Sequence, residues 1–387
     1  MHLTLAQMAI TALLVALLPL TLVWTSSDAN KYRKLVWVSA FITFDLIVFG
    51  AFTRLTDSGL GCPDWPGCYG AANPFLAHAD IVAAETLNPT GPVTVAKAWI
   101  EMIHRYLAMT IGVLIMGMML QASYQWYKSK GTRPEYRPAM PMFLFFCVCV
   151  QGAFGAWTVT LKLQPVIVTI HLLLGMSMLA LLVWYGGYQN QLIAPVRVLS
   201  GSPTAMRNIR WLAGISAALL LVQLALGGWV STNYATLACT DFPLCGGKLV
   251  PEMDFKHGFT LWRELGKTAA GHYIPFSALT AIHWVHRNAG FLVALVAGYT
   301  VWRAWGNVAL HKTARNIAIV LFAQIATGLA TIYFSFPLTI AVLHNAGAAL
   351  LVLLLTVLNY KAKFQHDLAK KAASAAGLSQ KLSQKQQ

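Results

Sequence analysis

Long apolar segments alternate with shorter polar stretches along most of the chain. Most of the nine segments are long enough to cross a hydrocarbon core, which needs about 20 helical residues. They cover approximately residues 5–24, 35–53, 99–126, 139–160, 166–188, 211–231, 278–304, 316–334 and 338–360. Because backbone groups in lipid must hydrogen-bond to one another, each segment is predicted to be a helix. The pattern predicts an all-α integral membrane protein with about nine transmembrane helices.

Composition agrees with this class. Of the 387 residues, 57% are hydrophobic and 11% are charged, whereas about a quarter of residues are charged in soluble domains. The net charge of +15 comes mainly from alternate connections and the C-terminal tail. The basic residues there are Lys31, Arg33, Lys34, Lys128, Lys130, Arg133, Arg137, Arg197, Arg207, Arg210, Arg303, Lys312, Arg315 and the tail lysines from Lys361. The positive-inside rule places these connections in the cytoplasm and the long loops 54–98 and 232–277 outside. No basic patch then remains for binding nucleic acid.

The two ends of the chain are interpreted from their flanking residues. Segment 5–24 has no Lys or Arg before it and no convincing small-residue cleavage site after it. We therefore expect a retained extra helix with an external N-terminus, not a signal peptide. The polar tail after Tyr360 is expected to be disordered or a surface helix, without chemistry.

An internal repeat divides the rest of the chain. The sequence GAFTRLTDSGLGCPDWPGC from Gly50 matches GGWVSTNYATLACTDFPLC from Gly227, and both contain C-x-D-x-P-x-C. EMIHR at 101–105 matches HWVHR at 283–287, and both Gln151–His171 and Gln324–His344 span 20 residues. We predict two parallel four-helix units. The domain prediction is an extra helix (1–30), a first unit (31–190), a second unit (191–360) and a cytoplasmic polar tail (361–387).

Four histidines lie at equivalent positions of the two units: His104, His171, His286 and His344. Each is about 10 Å inside its segment from the external end, by helical rise. Two such imidazoles on different helices can face each other inside a bundle and bind haem iron from both sides. Two ligands without accompanying Cys, Asp or Glu argue against tetrahedral zinc. The prediction is one haem site in each unit; the alternative is that these residues are hydrogen-bonded packing histidines.

Arg105 and Arg287 each follow a predicted ligand directly. Near the external interface their guanidinium groups could pair with haem propionates. The alternative is that both side chains extend to lipid headgroups.

Glu101 is the main difference between the units. It lies one helical turn outside His104, and the equivalent residue in the second unit is His283. A carboxylate beside a macrocycle can act as a general base or stabilise developing positive charge. The first unit is therefore the candidate for chemistry and the second for electron transfer. The alternative for Glu101 is a salt bridge with Arg105. Asp45, in mid-segment with no counterpart, is assigned no role.

The cysteines fit an external, oxidising setting. The pairs Cys62/Cys68 and Cys239/Cys245 each enclose five residues, and a disulfide within each loop is the simplest connectivity. Metal binding by these pairs stays open but would need further ligands. Cys147 and Cys149 are expected to be buried thiols.

At these residues the chain resembles the haem A synthase family, over roughly residues 35–360. The resemblance rests on the GAFTRLTDSGLGCPDWPGC loop, EMIHR, the later HR pair and both Q…H helices. It implies oxidation of a methyl substituent of haem O, through successive hydroxylations, to the formyl group of haem A. It further implies that Glu101 is the catalytic carboxylate, that His104 and His171 bind the substrate haem, and that His286 and His344 hold a permanent haem b.

The resemblance also carries expectations about surroundings. The cysteine pairs correspond to the family's loop disulfides, and segment 5–24 departs from its eight-helix pattern. The expected location is the cell inner membrane, with haem sites toward the periplasm. Beyond haem O, haem A and membrane lipid, the candidate partners are haem O synthase and oxidase assembly factors, and an oligomer stays open.

Two other functions use the same histidines. A dihaem membrane electron carrier of the quinol–cytochrome oxidoreductase type would give Glu101 no essential part. A haem transporter would exchange haem in both units and leaves the difference between Glu101 and His283 unexplained.

Overall fold

The computed structural model describes residues 2–193, 195 and 200–384, so that Arg197 of the predicted cytoplasmic set lies outside the described residues. Eleven α-helices are found in this part of the chain. They are α1 (His2–Thr25), α2 (Lys31–Leu55), α3 (His78–Leu87), α4 (Val95–Lys128), α5 (Ala139–Thr160), α6 (Pro165–Ile193), α7 (Pro203–Thr232), α8 (Phe255–Gly258), α9 (Phe276–Trp305), α10 (His311–Tyr333) and α11 (Leu338–Gln384).

Nine of these helices contain the nine predicted segments, with one residue of difference at the end of α10. Eight of them are long and apolar enough to cross a membrane. The ninth, α9, has 30 residues, but its first half contains His283, His286 and Arg287, which lower its hydropathy. The prediction of an all-α, multi-pass membrane protein is confirmed.

The helix ends on the side predicted to be external have the same backbone geometry in both units. Residues with left-handed backbone, a common helix terminator, follow α2 at Asp57 (φ 51°) and α7 at Tyr234 (φ 53°). The ends of α5 and α10 have two such residues each, namely Lys162, Leu163, Ser335 and Phe336. These positions have the same spacing as the repeated sequence motifs. The repeat is thus present in backbone geometry as well as in residue type.

Helix contacts form two groups of four. In the first, α4 contacts α2 and α5, and α6 contacts α5 and α2; in the second, α9 contacts α7 and α10, and α11 contacts α10 and α7. Between the groups, α11 contacts α2 and α6, and α6 contacts α7. This arrangement supports the division at 31–190 and 191–360, which stays a prediction. Beyond Tyr360, α11 continues to Gln384, so the tail is helical over its described part.

The extra helix α1 packs against α4 and α2. Its Thr4 hydroxyl donates a hydrogen bond to the Gly70 carbonyl at 2.7 Å. Met8 lies in one apolar cluster with Cys62 and Cys68. The start of α1 is therefore on the same side as loop 54–98, in agreement with the predicted topology.

Three polar residues in apolar helices, Cys147, Cys149 and Asp45, differ in their exposure. Cys147 is half-buried and Cys149 is exposed, so the prediction of buried thiols is wrong for Cys149. The reason is that α5 buries only Pro141, Leu144 and Val159. Asp45 is exposed on α2 and keeps no assigned role.

Candidate haem sites and carboxylate site

The four histidines occupy matching positions in their helices. His171 and His344 are each the seventh residue of α6 and α11. His104 is the tenth residue of α4 and His286 the eleventh of α9. The latter two lie farther from the start of the helix than predicted, because both helices begin before the apolar segment; in α4 the Thr94 side chain caps the added turn by accepting from the Lys97 N–H.

Each imidazole packs against a glycine of a neighbouring helix. A Cβ atom on Gly50 would lie 2.9 Å from His104 Cε1, and one on Gly227 would lie 2.9 Å from His286 Cε1. The equivalent distances are 3.3 Å between Gly155 and His171 and 3.2 Å between Gly328 and His344. Glycine at these four positions therefore provides the space that each ring occupies. Sequence reasoning used Gly50 and Gly227 only as repeat landmarks and missed this role, although equal spacing in both units was a signal for it.

The two units differ at the Nδ1 atoms. In the second unit, His286 Nδ1 lies 3.1 Å from the Gln223 amide nitrogen and His344 Nδ1 lies 3.0 Å from the Thr327 hydroxyl. In the first unit, the Nδ1 atoms of His104 and His171 are buried and have no hydrogen-bond partner within the described residues. Gln223 and Thr327 were not predicted from the sequence, because neither has a polar counterpart in the first unit.

In both units a glutamine amide lies near the Nε2 atom of a predicted ligand, His171 or His344. The Gln151 amide nitrogen is 3.5 Å from His171 Nε2, and the Gln324 amide nitrogen is 3.2 Å from His344 Nε2. Gln151 also donates to the His171 backbone carbonyl at 3.1 Å. These residues, noted in the sequence only for their spacing, contact the predicted ligands directly.

The residues present fit a haem with two axial imidazoles. His104 and His171 lie on α4 and α6 of the first helix group, and His286 and His344 lie on α9 and α11 of the second. All four are partly exposed despite their position inside the helix groups. No group of three or more His, Cys, Asp and Glu side chains that could hold a metal ion occurs among the described residues. Paired imidazoles suit haem iron better than a tetrahedral ion such as zinc.

Glu101 is buried and bonded on both carboxylate oxygens. Its Oε2 accepts from the Cys62 N–H at 2.8 Å, and its Oε1 accepts from Arg105 Nη2 at 2.5 Å. In the second unit the Cys239 N–H donates to His283 Nδ1 at 3.2 Å. Glu101 and His283 thus accept hydrogen bonds from equivalent backbone N–H groups, those of Cys62 and Cys239. The salt bridge considered as an alternative is present, and the catalytic role stays a prediction.

Arg105 and Arg287 bind the external loops. Arg105 Nη1 donates to the carbonyls of Asp64, Pro66 and Gly67 at 2.9, 3.1 and 2.5 Å. Arg287 donates likewise to the carbonyls of residues 241, 243 and 244 at 3.0, 3.3 and 3.1 Å. Arg105 is 8% exposed, so the alternative of extension to headgroups does not describe it. Pairing with propionates stays a prediction for both.

Each external loop is closed by a disulfide and an aspartate. The Cys62–Cys68 sulfur atoms are 2.06 Å apart and those of Cys239–Cys245 are 1.98 Å apart. The carboxylate of Asp241 accepts from the backbone N–H groups of residues 246 and 247 at 2.7 and 2.8 Å, and Asp64 accepts from those of residues 69 and 70 at 2.6 and 2.7 Å. The N–H of residue 247, then that of 246, keep the pKa of Asp241 below its ordinary value. The aspartate of C-x-D-x-P-x-C, unassigned from sequence, therefore orders the loop.

The chain is similar to several curated proteins over most of its length. A protein named Heme A synthase from Shewanella oneidensis is 34% identical over 330 residues, covering 84% of this chain and 96% of that protein. Heme A synthases from Erythrobacter litoralis and Dinoroseobacter shibae are 26% and 27% identical, covering 82% and 86% of this chain and 93% and 88% of those proteins. A family model described as COX15-CtaA, cytochrome oxidase assembly protein, matches residues 33–356. Because that match includes both histidine pairs, Glu101 and both disulfide loops, the chain belongs to the COX15-CtaA family of cytochrome oxidase assembly proteins.

Proposed function

We propose that this protein is a haem A synthase, an oxidoreductase that converts a methyl substituent of haem O to the formyl group of haem A. The names of its relatives support this reaction. The observation that carries the proposal is a difference in carboxylates between the two units. Both contain an imidazole pair, but only the first has a carboxylate, Glu101, one turn outward from its ligand on α4.

In this proposal the first unit binds the substrate. His104 and His171 would hold the haem O iron and so fix the orientation of the ring. The reacting carbon is on the ring periphery, so ligation of the iron by these imidazoles would leave it accessible. Gly50 and Gly155 on the neighbouring helices leave the space that the two rings occupy.

Glu101 is the residue that we assign to the chemistry. Bonds from Arg105 and from the Cys62 N–H restrict its carboxylate to one position near the external end of α4. From there it accepts a proton or stabilises positive charge that develops on the oxidised methyl carbon. Arg105 and the loop act as positioning groups for this carboxylate.

The second unit is assigned to electron transfer. His286 and His344 would hold a haem b, which would supply a one-electron acceptor for the oxidation. Arg287 donates hydrogen bonds to backbone carbonyls of the loop in this unit, as Arg105 does in the first unit. The site lies toward the external side of an inner membrane, and haem O synthase and oxidase assembly factors are the proposed partners.

The test is product analysis in cells that supply haem O. Glu101→Gln keeps an acceptor for the Cys62 N–H and removes the negative charge. We expect this variant, like Glu101→Ala, to retain haem and to form no formyl product on extraction and mass analysis. His283→Ala is the matched control, because it removes the equivalent loop contact of the second unit, and it should still form haem A.

Three outcomes decide between the candidate functions. Undiminished conversion by Glu101→Gln would refute the assigned chemistry. A protein that contains two b haems and never forms haem A, by its pyridine haemochrome spectrum, would be an electron carrier. Loss of haem from both units during purification would indicate a transporter.

A further inference from the structure

The hydroxyl of Thr327 determines which nitrogen of His344 is protonated. Thr327 Oγ1 donates its only proton to the Ala323 carbonyl, at 2.9 Å, within the same helix. Toward His344 Nδ1, at 3.0 Å, the oxygen is then an acceptor. This favours the proton on His344 Nδ1, which leaves the lone pair on Nε2, the form of imidazole that binds iron; the Gln324 amide nitrogen, 3.2 Å from Nε2, would have to move aside for the metal.

Gln223 restrains His286 in a related way. Its amide nitrogen is 3.1 Å from His286 Nδ1 and 3.0 Å from the His286 backbone carbonyl. Its Oε1 is buried and unpaired among the described residues. The amide nitrogen thus contacts both acceptors, and a half-turn would set the amide oxygen against the His286 carbonyl oxygen. Gln223 therefore limits rotation of the ring without fixing a proton on Nδ1.

The first unit has no such groups. The residue equivalent to Gln223 is Leu46, and the residue equivalent to Thr327 is Phe154. Both are apolar, and the Nδ1 atoms of His104 and His171 are left buried without a partner in the described part of the chain. Orientation of these rings depends on packing against glycine and, for His171, on Gln151.

We propose that Gln223 and Thr327 are positioning residues that make the second unit the site of tightly retained haem, whereas Leu46 and Phe154 leave the first unit with exchangeable ligands. The inference rests on the proposed function in assuming a haem in each unit. Hydrogen bonds to the outer nitrogen of a ligating histidine fix the ring and raise its basicity, and their loss costs about 10- to 100-fold in metal affinity. A site for a substrate has to release its haem after reaction. A site for a permanent cofactor does not.

The experiment measures haem loss from the full-length protein, purified in detergent from cells without haem O. Haem transfer to excess apomyoglobin gives the rate of loss, and His286→Ala identifies the fraction bound in the second unit. We expect Thr327→Val and Gln223→Leu to lose this fraction about 10 to 100 times faster than the wild type. The midpoint potential of Thr327→Val should also rise, because a less basic imidazole stabilises ferric iron less. Thr327→Ser keeps the hydroxyl and should restore both values.

The reciprocal variant uses the first unit. Leu46→Gln supplies an amide of similar volume at the position equivalent to Gln223, and we expect it to slow haem loss from that unit when measured with His286→Ala. If Thr327→Val and Gln223→Leu do not fold, Leu46→Gln decides the matter alone. Unchanged rates and potentials in the folded variants would overturn the inference. If His286→Ala contains as much haem as the wild type, that result would instead contradict the proposed two-haem function.

Discussion

The contact between Gly227 and His286 provides a direct test of the ligand assignment. Gly227→Ala adds one methyl group at a point where the imidazole of the second unit meets α7. The new Cβ atom would be 2.9 Å from His286 Cε1 and 3.5 Å from Nδ1. Alanine is otherwise favourable in a helix interior, so the variant should fold.

The displacement can be worked out from these distances. Ordinary contacts begin at 3.4 Å, so the ring must move by at least 0.5 Å, the difference between 3.4 and 2.9 Å. Gln223 restrains the same ring and limits how it can adjust. Overpacking of this kind costs about 1–3 kcal/mol, which corresponds to about 5- to 150-fold weaker haem binding.

The assay is the content of second-unit haem after purification, with the low-spin signal of the ferric protein as a check on axial ligation. Gly214→Ala on the same helix is the control, because the nearest atom to its Cβ is Asn359 Nδ2 at an ordinary 3.6 Å. It should behave like the wild type. Full haem content and an unchanged low-spin signal in Gly227→Ala would refute the claim that this ring is an axial ligand.

Two further predictions concern the external loops. Arg105→Met should lower the free energy of unfolding by about 3–5 kcal/mol, because it leaves the buried Glu101 carboxylate without its ion-pair partner. Denaturant titration measures this loss, and the control variant Arg287→Met, at a more exposed arginine, should lose less. Equal losses in the two variants would contradict this reasoning. Because the pKa of Asp241 is lowered in the folded loop, its contribution should be complete above the ordinary carboxyl range and be lost as the pH falls through the lowered value. Amide exchange at residues 246 and 247 measures this, and Asp241→Asn should remove most of the pH dependence.

The helices were predictable because a bilayer imposes a length and a composition on every segment that crosses it. The apolar segments coincide with nine helices of the structure, and the repeat of C-x-D-x-P-x-C predicted two loops of the same kind. The starts of α4 and α9 were predicted too late, by four and two residues; α4 gains a turn that the Thr94 side chain caps, whereas α9 begins after Pro275 without a side-chain cap. Exposure of Cys149 was also mispredicted, because segment hydropathy does not show which face of α5 is turned outward.

The candidate site was only partly predictable. Histidines inside apolar helices are rare enough to be recognised individually, and their equivalent positions indicated pairs. The roles of Arg105 and Glu101 were harder, because each had two physically reasonable partners. The structure places both side chains at the same loop, through contacts with residues about 40 positions earlier in the chain.

The sequence by itself determined the membrane class, the duplication and the residue types that can bind haem, because these depend on composition and spacing along one chain. Only the tertiary structure decided which glycine faces which histidine, and that Nδ1 is bonded in one unit and unpaired in the other. Those features depend on the packing of separate helices, where residues such as Gln223 and His286 are 63 positions apart. Spacing within a helix does not specify such contacts.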